Sequence, residues 1–532
     1  MSPADESRRT SRFDRARRVG ATAAALWGAV FLVICTTGQR LSTEYLGFGW
    51  QLIPYEILSD DPIRSVWYLH IQPPLWNLVV GMIGKFSPLP DGISFLLLQA
   101  GFGMVAAGLL AIVLLRLRCR PWLAVAFALL GTANPEYVRN AFEPTYEMAV
   151  GCGLIALAWA VTLPDRSDGE AAARRGRAFV AVSAVATAVV LTRSLYHPLW
   201  LVVVLGLAWW AWRDRIDRRS LAIGVLVPVL LVGGWMAKNE VLFGRPTLSS
   251  WFGMNLQRGV IPVLGLDELN RLHDEGKVSD VAMIGPFGNY GLYRPVMPPC
   301  APEHSHPALS KEVRDYPIVV PNLNYECFLP VYDQAGADAR AVIRAYPGVW
   351  LEGRLWSART WFAVNQLADE SPSWPLRQLG NVYQVIRLDV PGTLSTNGWG
   401  TPIYGNLTVT TRFSLTMVEL SLLIGAVGFV TTWKVIRRRS GDRGDELVLA
   451  IIGMTATWTF VVGVVGELGE QARFRTMTDP LVLSIGALLV LRWLTGRYGH
   501  SEAFFDERYT TPAGDEETTE SSPVATSASN SA

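Results

Sequence analysis

The sequence predicts an all-α polytopic membrane protein of about ten transmembrane helices with a mixed external domain, and three observations predict this class. Half of the 532 residues are hydrophobic and only 17% are charged, which is too apolar for a soluble protein of this length. Apolar runs of close to membrane-spanning length recur along the chain. Arginines gather in the short loops between these runs, as the positive-inside rule describes.

Ten apolar runs approach the roughly 20 residues that a transmembrane helix needs. They lie at 20–37, 93–115, 121–134, 146–163, 178–192, 196–212, 220–238, 414–433, 447–464 and 480–495. The first run follows a basic start, but it is long for a signal peptide, and the letters TTGQRLS after it lack a small-x-small cleavage pattern. We therefore expect it to remain as a signal anchor.

Composition divides the chain into five parts. In chain order they are a basic cytoplasmic N-terminus (1–19), a transmembrane module that includes a first external loop at 38–92 (20–240), an external domain or large ordered loop (241–413), the C-terminal transmembrane helices (414–495) and a cytoplasmic disordered tail (496–532). The third part is too polar to span a membrane, and the last is rich in Ser, Thr and Glu.

An eleventh apolar segment, Leu75–Phe86, decides the topology. If it does not span, the basic loops at 116–120, 166–177, 213–219 and 434–443 all share the side of the N-terminal arginines. If it spans, every later basic loop moves to the outside. We therefore predict ten crossings, with Leu75–Phe86 as an amphipathic helix on the outer surface.

This topology also bears on binding partners and cysteine chemistry. The net charge of +1 gives no sign of a nucleic-acid partner, because arginines in short loops between apolar runs report membrane orientation, so we expect none. No Cys/His spacing resembles a zinc site. We predict a disulfide between Cys300 and Cys327, which share the predicted external region, the alternative being that both are buried as small apolar side chains.

The first external loop contains YEILSDDPIRSVWYLHIQPPLWNLVVG, from Tyr55 to Gly81, with Glu56, Asp60, Asp61 and His70 close together. One interpretation is structural, because Asp before Pro62 is a good helix N-cap. The other is catalytic, since a carboxylate in a partly dehydrated pocket against a bilayer can take a proton from a hydroxyl. The sequence leaves both open.

The letters WYLHIQPPLWNLVVG resemble the His-x-Pro-Pro-Leu signature in the first external loop of C-type-fold membrane glycosyltransferases, especially protein O-mannosyltransferases and lipid A aminoarabinose transferases. The resemblance implies a polyprenyl-phosphate sugar donor, an acidic base upstream of the prolines and a membrane-surface helix after them. It covers roughly the first 250 residues by topology. Here Gln72 directly precedes the prolines, and the acidic pair lies closer to them than in the family. Glu56 and Glu44 therefore remain candidates for the base.

These arguments give a set of candidate site residues. The base is Asp61, Asp60 or Glu56, in falling order of preference. Guanidinium and ammonium groups suit the donor phosphate, and the candidates are Arg193, Lys238, Arg473 and Arg475. Substrate-binding candidates are His70, Gln72, Glu143, Glu147 and His197. The alternatives are a lipid-snorkelling arginine at 193 and a solvated turn around Glu143.

The predicted function is transfer of a hexose or pentose from a polyprenyl-phosphate donor to an envelope glycan, lipid or protein acceptor, at the external face of the cell membrane. No Asp-x-Asp pattern occurs in the first two external loops, so we expect no metal and no other cofactor. Membrane lipids are the other expected partners. The alternatives are a transporter or lipid flippase, although no paired halves are evident, and a non-catalytic envelope-assembly protein.

Overall fold

The computed structural model describes residues 3–163, 171–364, 372–397, 406–437, 444–498 and 505. In the first half of the chain the helices are α1 (Pro3–Thr36), α2 (Glu44–Phe48), α3 (Tyr55–Asp60), α4 (Pro62–Trp67), α5 (Pro74–Phe86), α6 (Asp91–Arg116), α7 (Pro121–Thr132), α8 (Pro135–Arg139), α9 (Glu147–Val161), α10 (Ala171–Thr192), α11 (Pro198–Trp212), α12 (Arg218–Pro228) and α13 (Gly234–Phe243). A π-helical turn, Val229–Gly233, joins α12 to α13.

The rest of the chain continues this helical pattern with one strand pair. Its elements are α14 (Phe252–Arg258), α15 (Ile261–Leu264), α16 (Leu266–Asp274), α17 (Asp280–Ile284), α18 (Tyr290–Tyr293), α19 (Pro307–Ser310), α20 (Phe328–Ala345), α21 (Pro347–Trp361), α22 (Trp374–Ile386), β1 (Asp389–Asn397), β2 (Asn406–Ser414), α23 (Leu415–Arg437), α24 (Gly444–Gly466), α25 (Gln471–Thr476) and α26 (Asp479–Tyr498). Beyond Tyr498, and apart from Phe505, the predicted tail lies outside the described residues.

All ten predicted apolar runs coincide with helices of the structure. Among the described residues, seven helices are long and apolar enough to cross a membrane, namely Asp14–Thr36, Asp91–Arg116, Arg175–Thr192, Arg218–Phe243, Leu415–Arg437, Gly444–Gly466 and Asp479–Arg497. Helices α7, α9 and α11 are apolar but have 12, 15 and 15 residues, fewer than a perpendicular crossing requires. The protein is therefore mostly helical with membrane-spanning segments, and ten crossings remain a prediction.

The described residues of the predicted external region 241–413 form helices of 4 to 18 residues and one antiparallel strand pair. Strands β1 and β2 pair in register from Asp389 opposite Ser414 to Asn397 opposite Asn406. The chain is thus not entirely helical, and β2 contains four consecutive β-branched residues, Thr408 to Thr411, which favour extended structure. The predicted disulfide between Cys300 and Cys327 is confirmed.

Side-chain contacts place the loops in two groups, one at each end of the helix bundle. At one end, Arg118 lies 3.7 Å from Asp445, and Trp210 Nε1 donates to the Ile436 carbonyl at 3.1 Å. At the other end lie the segments predicted to be external, at 38–92, 134–147, 193–198, 241–413 and 466–480, whose described residues contact one another through the side chains described below. The predicted grouping of loops is therefore present, and which end faces outward remains a prediction.

Helix α5 coincides with the predicted amphipathic helix. It begins with Pro74, whose fixed φ and missing N–H suit the first turn. It packs so closely on the preceding loop that a Cβ atom at Gly81 would lie 2.7 Å from Pro62 Cβ. The buried side of α5, which includes Trp76 and Val80, therefore faces protein.

Candidate functional site

Three arginines and three glutamates come together at the end of the bundle that carries the predicted external loops. This arginine–glutamate cluster consists of Arg193, Arg258, Arg473, Glu147, Glu467 and Glu470. Arg193 directly follows α10, Glu147 begins α9, and Arg258 ends α14. The two remaining glutamates lie in the turn between α24 and α25, and Arg473 lies in α25. Four separate segments of the chain therefore contribute to one charged site.

Arg473 is the most heavily paired cation of the cluster. Its Nε lies 2.6 Å from Glu147 Oε1, and its Nη1 lies 3.2 Å from Glu470 Oε2. The hydroxyl of Tyr45, in the first loop, donates to Gln51 Oε1 at 2.9 Å. Burial raises the pKa of Tyr45 to about 12, with the charge of Arg473 acting against it and the charge of Glu147 acting with it. Tyr45 therefore stays a neutral hydroxyl that ties the first loop to the cluster.

Arg258 pairs with the turn that carries the other two glutamates. Its Nη1 lies 3.5 Å from Glu467 Oε1 and 3.8 Å from Glu470 Oε1. The turn depends on Gly469, which has a φ of +109°, a region that side chains with a Cβ rarely adopt. A Cβ at Gly469 would also lie 2.8 Å from Arg258 Nη2. Glycine is therefore needed both for the backbone and for the approach of Arg258.

Arg193 is buried without a carboxylate of its own. Its side chain is 4% exposed, and its Cζ lies 4.5 Å from the ring centroid of Tyr146 and 4.7 Å from that of Phe474. Nε and Nη1 have no hydrogen-bond partner, and none of the described carboxylates forms an ion pair with Arg193. Burial lowers the pKa of Arg193 to about 10, so the group is still charged at neutral pH.

Burial and neighbouring charges shift the pKa values of Glu467 and Glu470 in opposite directions. Burial, together with the nearby charge of Glu470, raises the pKa of Glu467 to about 7. Burial acts in the same direction on Glu470, but Arg473, Arg258 and Arg193 outweigh it and hold the pKa of Glu470 below its usual value. Glu467 therefore changes protonation near neutral pH beside a carboxylate that stays ionised.

The cluster has an accessible rim and a buried floor. The side chains of Glu467 and Glu470 are 16% exposed and that of Arg473 is 15% exposed, whereas Glu147 is fully buried. An anionic group that enters from the rim meets a buried guanidinium with free N–H donors and a carboxyl that can accept a proton. Within the described residues no group of three His, Cys, Asp or Glu side chains is arranged to hold a metal ion.

The three carboxylates predicted as the base lie on the surface of α3 and α4. Asp61 accepts a hydrogen bond from the Arg64 backbone N–H at 3.2 Å and so caps α4. Glu56 pairs with Lys311 at 2.9 Å, and Asp60 is exposed. Among the described contacts, none joins these three side chains to the arginine–glutamate cluster.

His70 and Lys238 hold the first loop against the region that follows α13. The Nε2 of His70 lies 3.0 Å from the Asn324 carbonyl, which can only accept, so Nε2 carries the proton and Nδ1 accepts from Ser250 Oγ at 2.7 Å. Burial lowers the pKa of His70 to about 3, with the charges of Lys238 and Arg245 acting in the same direction. Lys238 Nζ donates to the Leu69 carbonyl at 2.8 Å. Both side chains are thus engaged in protein contacts.

The other predicted binding residues divide between the cluster and its surroundings. Gln72 is buried and accepts from Ser194 Oγ at 3.4 Å, which places the Pro-Pro motif beside Arg193. His197 accepts from the Leu199 backbone N–H and so caps α11. Glu143 accepts from Gln99 Nε2 through its backbone carbonyl at 2.8 Å.

Arg475 belongs to a second buried network rather than to the arginine–glutamate cluster. Its guanidinium is 1% exposed and lies 2.5 Å from Glu136 and 3.2 Å from Asp479. Glu136 also pairs with Arg387, which in turn lies 2.9 Å from Asp389. Within this Glu136 network the Arg475 guanidinium is committed to carboxylates, so it is poorly placed to receive a phosphate.

Sequence reasoning missed the aromatic residues of the site. Tyr45, Tyr146 and Phe474 surround the guanidinium groups of Arg193 and Arg473. Their only signal is that each lies next to or near a charged residue in a predicted external loop. Arg387 gave no signal, because its partner Glu136 is 251 positions away.

Compared by sequence, the chain matches no protein-family model and no curated protein. Three solved structures show its overall similarities. An oligosaccharyltransferase of Archaeoglobus fulgidus with a tethered acceptor peptide has a TM-score of 0.39 and 12% identity over 91% of this chain and 51% of its own. The archaeal oligosaccharyltransferase AglB from A. fulgidus, in complex with an inhibitory peptide and a dolichol-phosphate, has a TM-score of 0.37 and 13% identity over 91% of this chain and 52% of its own.

ArnT from Cupriavidus metallidurans, bound to undecaprenyl phosphate, has a TM-score of 0.30 and 15% identity over 85% of this chain and 77% of its own. The present chain spans about half the length of the oligosaccharyltransferases it matches. At such TM-scores these similarities identify no corresponding residues, so the chemistry of the site has to follow from its own side chains.

Proposed function

We propose that the protein is a membrane glycosyltransferase that moves a sugar from a polyprenyl-phosphate donor to an envelope acceptor at the outer face of the cell membrane. The observation that carries this proposal is Arg193, a buried guanidinium with unused N–H donors, next to a glutamate whose pKa is close to 7. A buried charge without a partner costs free energy. An anionic ligand that occupies the site offsets this cost.

Arg193 receives the donor phosphate. The sugar-linked phosphate carries one negative charge, and the polyprenyl phosphate that departs carries close to two. The attraction to the guanidinium therefore increases as the bond to the anomeric carbon breaks, which is the condition for stabilising a transition state. Arg473 and Arg258 are already paired with glutamates, so they offset the negative charge of those glutamates without needing to bind the ligand.

Glu467 accepts the proton of the acceptor hydroxyl. The acceptor oxygen forms a bond to the anomeric carbon, the phosphate oxygen leaves with the bonding electrons, and the proton moves to the Glu467 carboxylate. A pKa near 7 suits this role because the ionised form is then available at neutral pH. Asp61, Asp60 and Glu56 are the competing bases from the sequence, in which case the first loop has to move toward the cluster.

The proposal is tested with purified protein in lipid nanodiscs and a panel of radiolabelled hexosyl and pentosyl polyprenyl phosphates. The measured quantity is label transferred to envelope glycan, lipid or protein fractions. We expect transfer from at least one donor by the parent protein and its loss in Arg193→Met. Donor binding without transfer would identify a non-catalytic protein, and movement of intact donor between leaflets would identify a flippase.

A further inference from the structure

Helix α22 carries an exposed apolar strip. Trp374, Val382, Val385 and Ile386 are 66%, 55%, 74% and 39% exposed, and at 3.6 residues per turn they fall on one side of the helix. Gln378 also lies on this side. The opposite side is buried through Leu376 and Tyr383. With 13 residues, the helix is too short to span a membrane.

Leu388 extends this strip beyond the helix in an unusual conformation. It directly follows the C-cap residue Arg387 and has a φ of +50°, where glycine is the usual residue. Its side chain is nonetheless 56% exposed. A strained backbone that presents a large apolar side chain outward has a rationale only if something apolar meets that side chain.

The neighbours of α22 identify what covers the strip. Thr416 Oγ1, in α23, donates to the Ile386 carbonyl at 3.2 Å, and the Ser373 backbone N–H donates to Gln39, just after α1, at 2.9 Å. Both α1 and α23 are long and apolar enough to cross a membrane. Leu422 and Phe429 of α23 are 69% and 75% exposed, as lipid-facing residues are. The strip therefore continues a lipid-facing surface.

We propose that α22 and Leu388 lie in the headgroup interface of the bilayer, with the apolar strip inserted toward the acyl chains. The partner is lipid, because the helices on both sides of α22 already face lipid and because a tryptophan at the start of a short amphipathic helix is typical of this interface. The expected depth is about 5–10 Å below the headgroups. This inference does not depend on the proposed transfer reaction.

The membrane contact is connected to the arginine–glutamate cluster through the protein. Arg387 at the end of α22 pairs with Glu136, and Glu136 pairs with Arg475 of α25. Arg473 and Phe474 precede Arg475 in the same short helix. The interfacial helix therefore supports the segment that forms one wall of the cluster.

Nitroxide labels on single cysteines test the location. Val382→Cys and Val385→Cys report on the strip, while Leu422→Cys in α23 is the lipid reference and Asp315→Cys, on a side chain 73% exposed, is the aqueous reference. All are made in a Cys35→Ser background, since Cys35 is a partly exposed free thiol. Because the substituted side chains are exposed, we expect every variant to fold, and size-exclusion profiles check this.

The measurement is collision of each label with oxygen, which partitions into lipid, and with a water-soluble nickel chelate, in nanodiscs of phosphatidylethanolamine and phosphatidylglycerol. We expect labels at 382 and 385 to show a higher oxygen-to-nickel collision ratio than the label at 315 and a value close to that at 422. A ratio equal to that at 315 would overturn the proposal. Protection from both reagents would also overturn it, since the strip would then face protein.

Discussion

The Arg193 guanidinium lies 4.5 Å from the ring centroid of Tyr146, so an aromatic face rather than a carboxylate holds this buried charge. Cation–π attraction contributes about 0.5–2 kcal/mol, less than the cost of removing a guanidinium from water. Arg475, two positions beyond Arg473, is equally buried but has two carboxylate partners. Replacement of Arg193 and replacement of Arg475 should therefore have different effects on stability.

Arg193→Met should weaken donor binding without destabilising the protein. A lost hydrogen bond to a charged group costs about 1.5–3 kcal/mol, or roughly tenfold to a hundredfold in Kd, while removal of an unpaired buried charge should leave the Tm unchanged or raise it. Arg475→Met is the matched control, and it should lose about 3–5 kcal/mol of stability because it leaves carboxylates unpaired. Thermal unfolding and polyprenyl-phosphate binding measure the two effects. Equal destabilisation by both variants would contradict the assignment.

Glu467 should set the pH dependence of transfer. As a base it must be ionised, so the rate should fall as the pH drops through about 7, and Glu467→Gln should reduce the rate by about 100-fold to 10,000-fold. Glu470→Gln should instead shift the midpoint of the profile to lower pH and keep the activity, because the charge of Glu470 helps to raise the pKa of Glu467. The series Asp61→Asn, Asp60→Asn and Glu56→Gln is measured alongside. A loss confined to one of these three would assign the base to the first loop.

The free energy of unfolding should also depend on the protonation of Glu467, and the direction of this pH dependence follows from the raised pKa. The pKa of Glu467 is raised in the folded protein from 4.5 to about 7, so its contribution to stability is fully present below pH 4.5 and is lost as the pH rises through about 7. Glu467→Gln should remove this part of the slope. Unfolding midpoints in denaturant, measured between pH 5 and pH 8 for parent and variant, check it.

The contribution of His70 to stability should change with pH in the direction opposite to that of Glu467. Its pKa is lowered from 6.5 to about 3, so its contribution to stability is fully present above pH 6.5 and is lost as the pH falls toward 3. His70→Ala should cost about 1–3 kcal/mol at neutral pH, because Ser250 and the Asn324 carbonyl lose their partner. Should this variant keep full stability while losing substrate binding, the predicted binding role of His70 would replace the structural one.

Loss of the disulfide should loosen the first loop. The chain-entropy model assigns roughly 3–4 kcal/mol to a cross-link between Cys300 and Cys327, which are 27 residues apart. The loop it closes carries Asn324, which binds His70, and Lys311, which pairs with Glu56. A Cys300→Ser/Cys327→Ser variant should therefore show a lower Tm and faster amide exchange around residues 56–70. Unchanged exchange there would show that the loop holds without the cross-link.

The orientation of the bundle is tested by cysteine labelling. Introduced cysteines at Asp91 and Gly398 should react with an impermeant maleimide in intact cells, and those at Ser167 and Gly441 only after permeabilisation. The last three positions lie outside the described residues. Labelling at Ser167 from outside would overturn the predicted topology.

The positions of the helices were predictable because apolar length is a property of consecutive residues. The predicted run at 93–115, for example, is contained in α6 at Asp91–Arg116. The pairing of charges was not predictable. Arg473 and Arg475 are two positions apart in α25 yet contact different networks, because successive residues of a helix point in different directions. The strands β1 and β2 were missed because they lack a clear apolar–polar alternation and lie in a Gly- and Pro-rich region.

The hydrogen bonds between Asn324 and His70 have a consequence for how the chain folds during synthesis. Asn324 binds both the backbone and the ring of His70 across 254 positions, and Arg314 donates to the carbonyls of Gly49 and Leu52. During synthesis the motif around His70 thus emerges long before its partners. The first loop therefore lacks these protein partners until the segment around Cys300 and Cys327 has been synthesised and has folded. A chain truncated before that point would carry every residue of the first-loop motif and still lack its architecture.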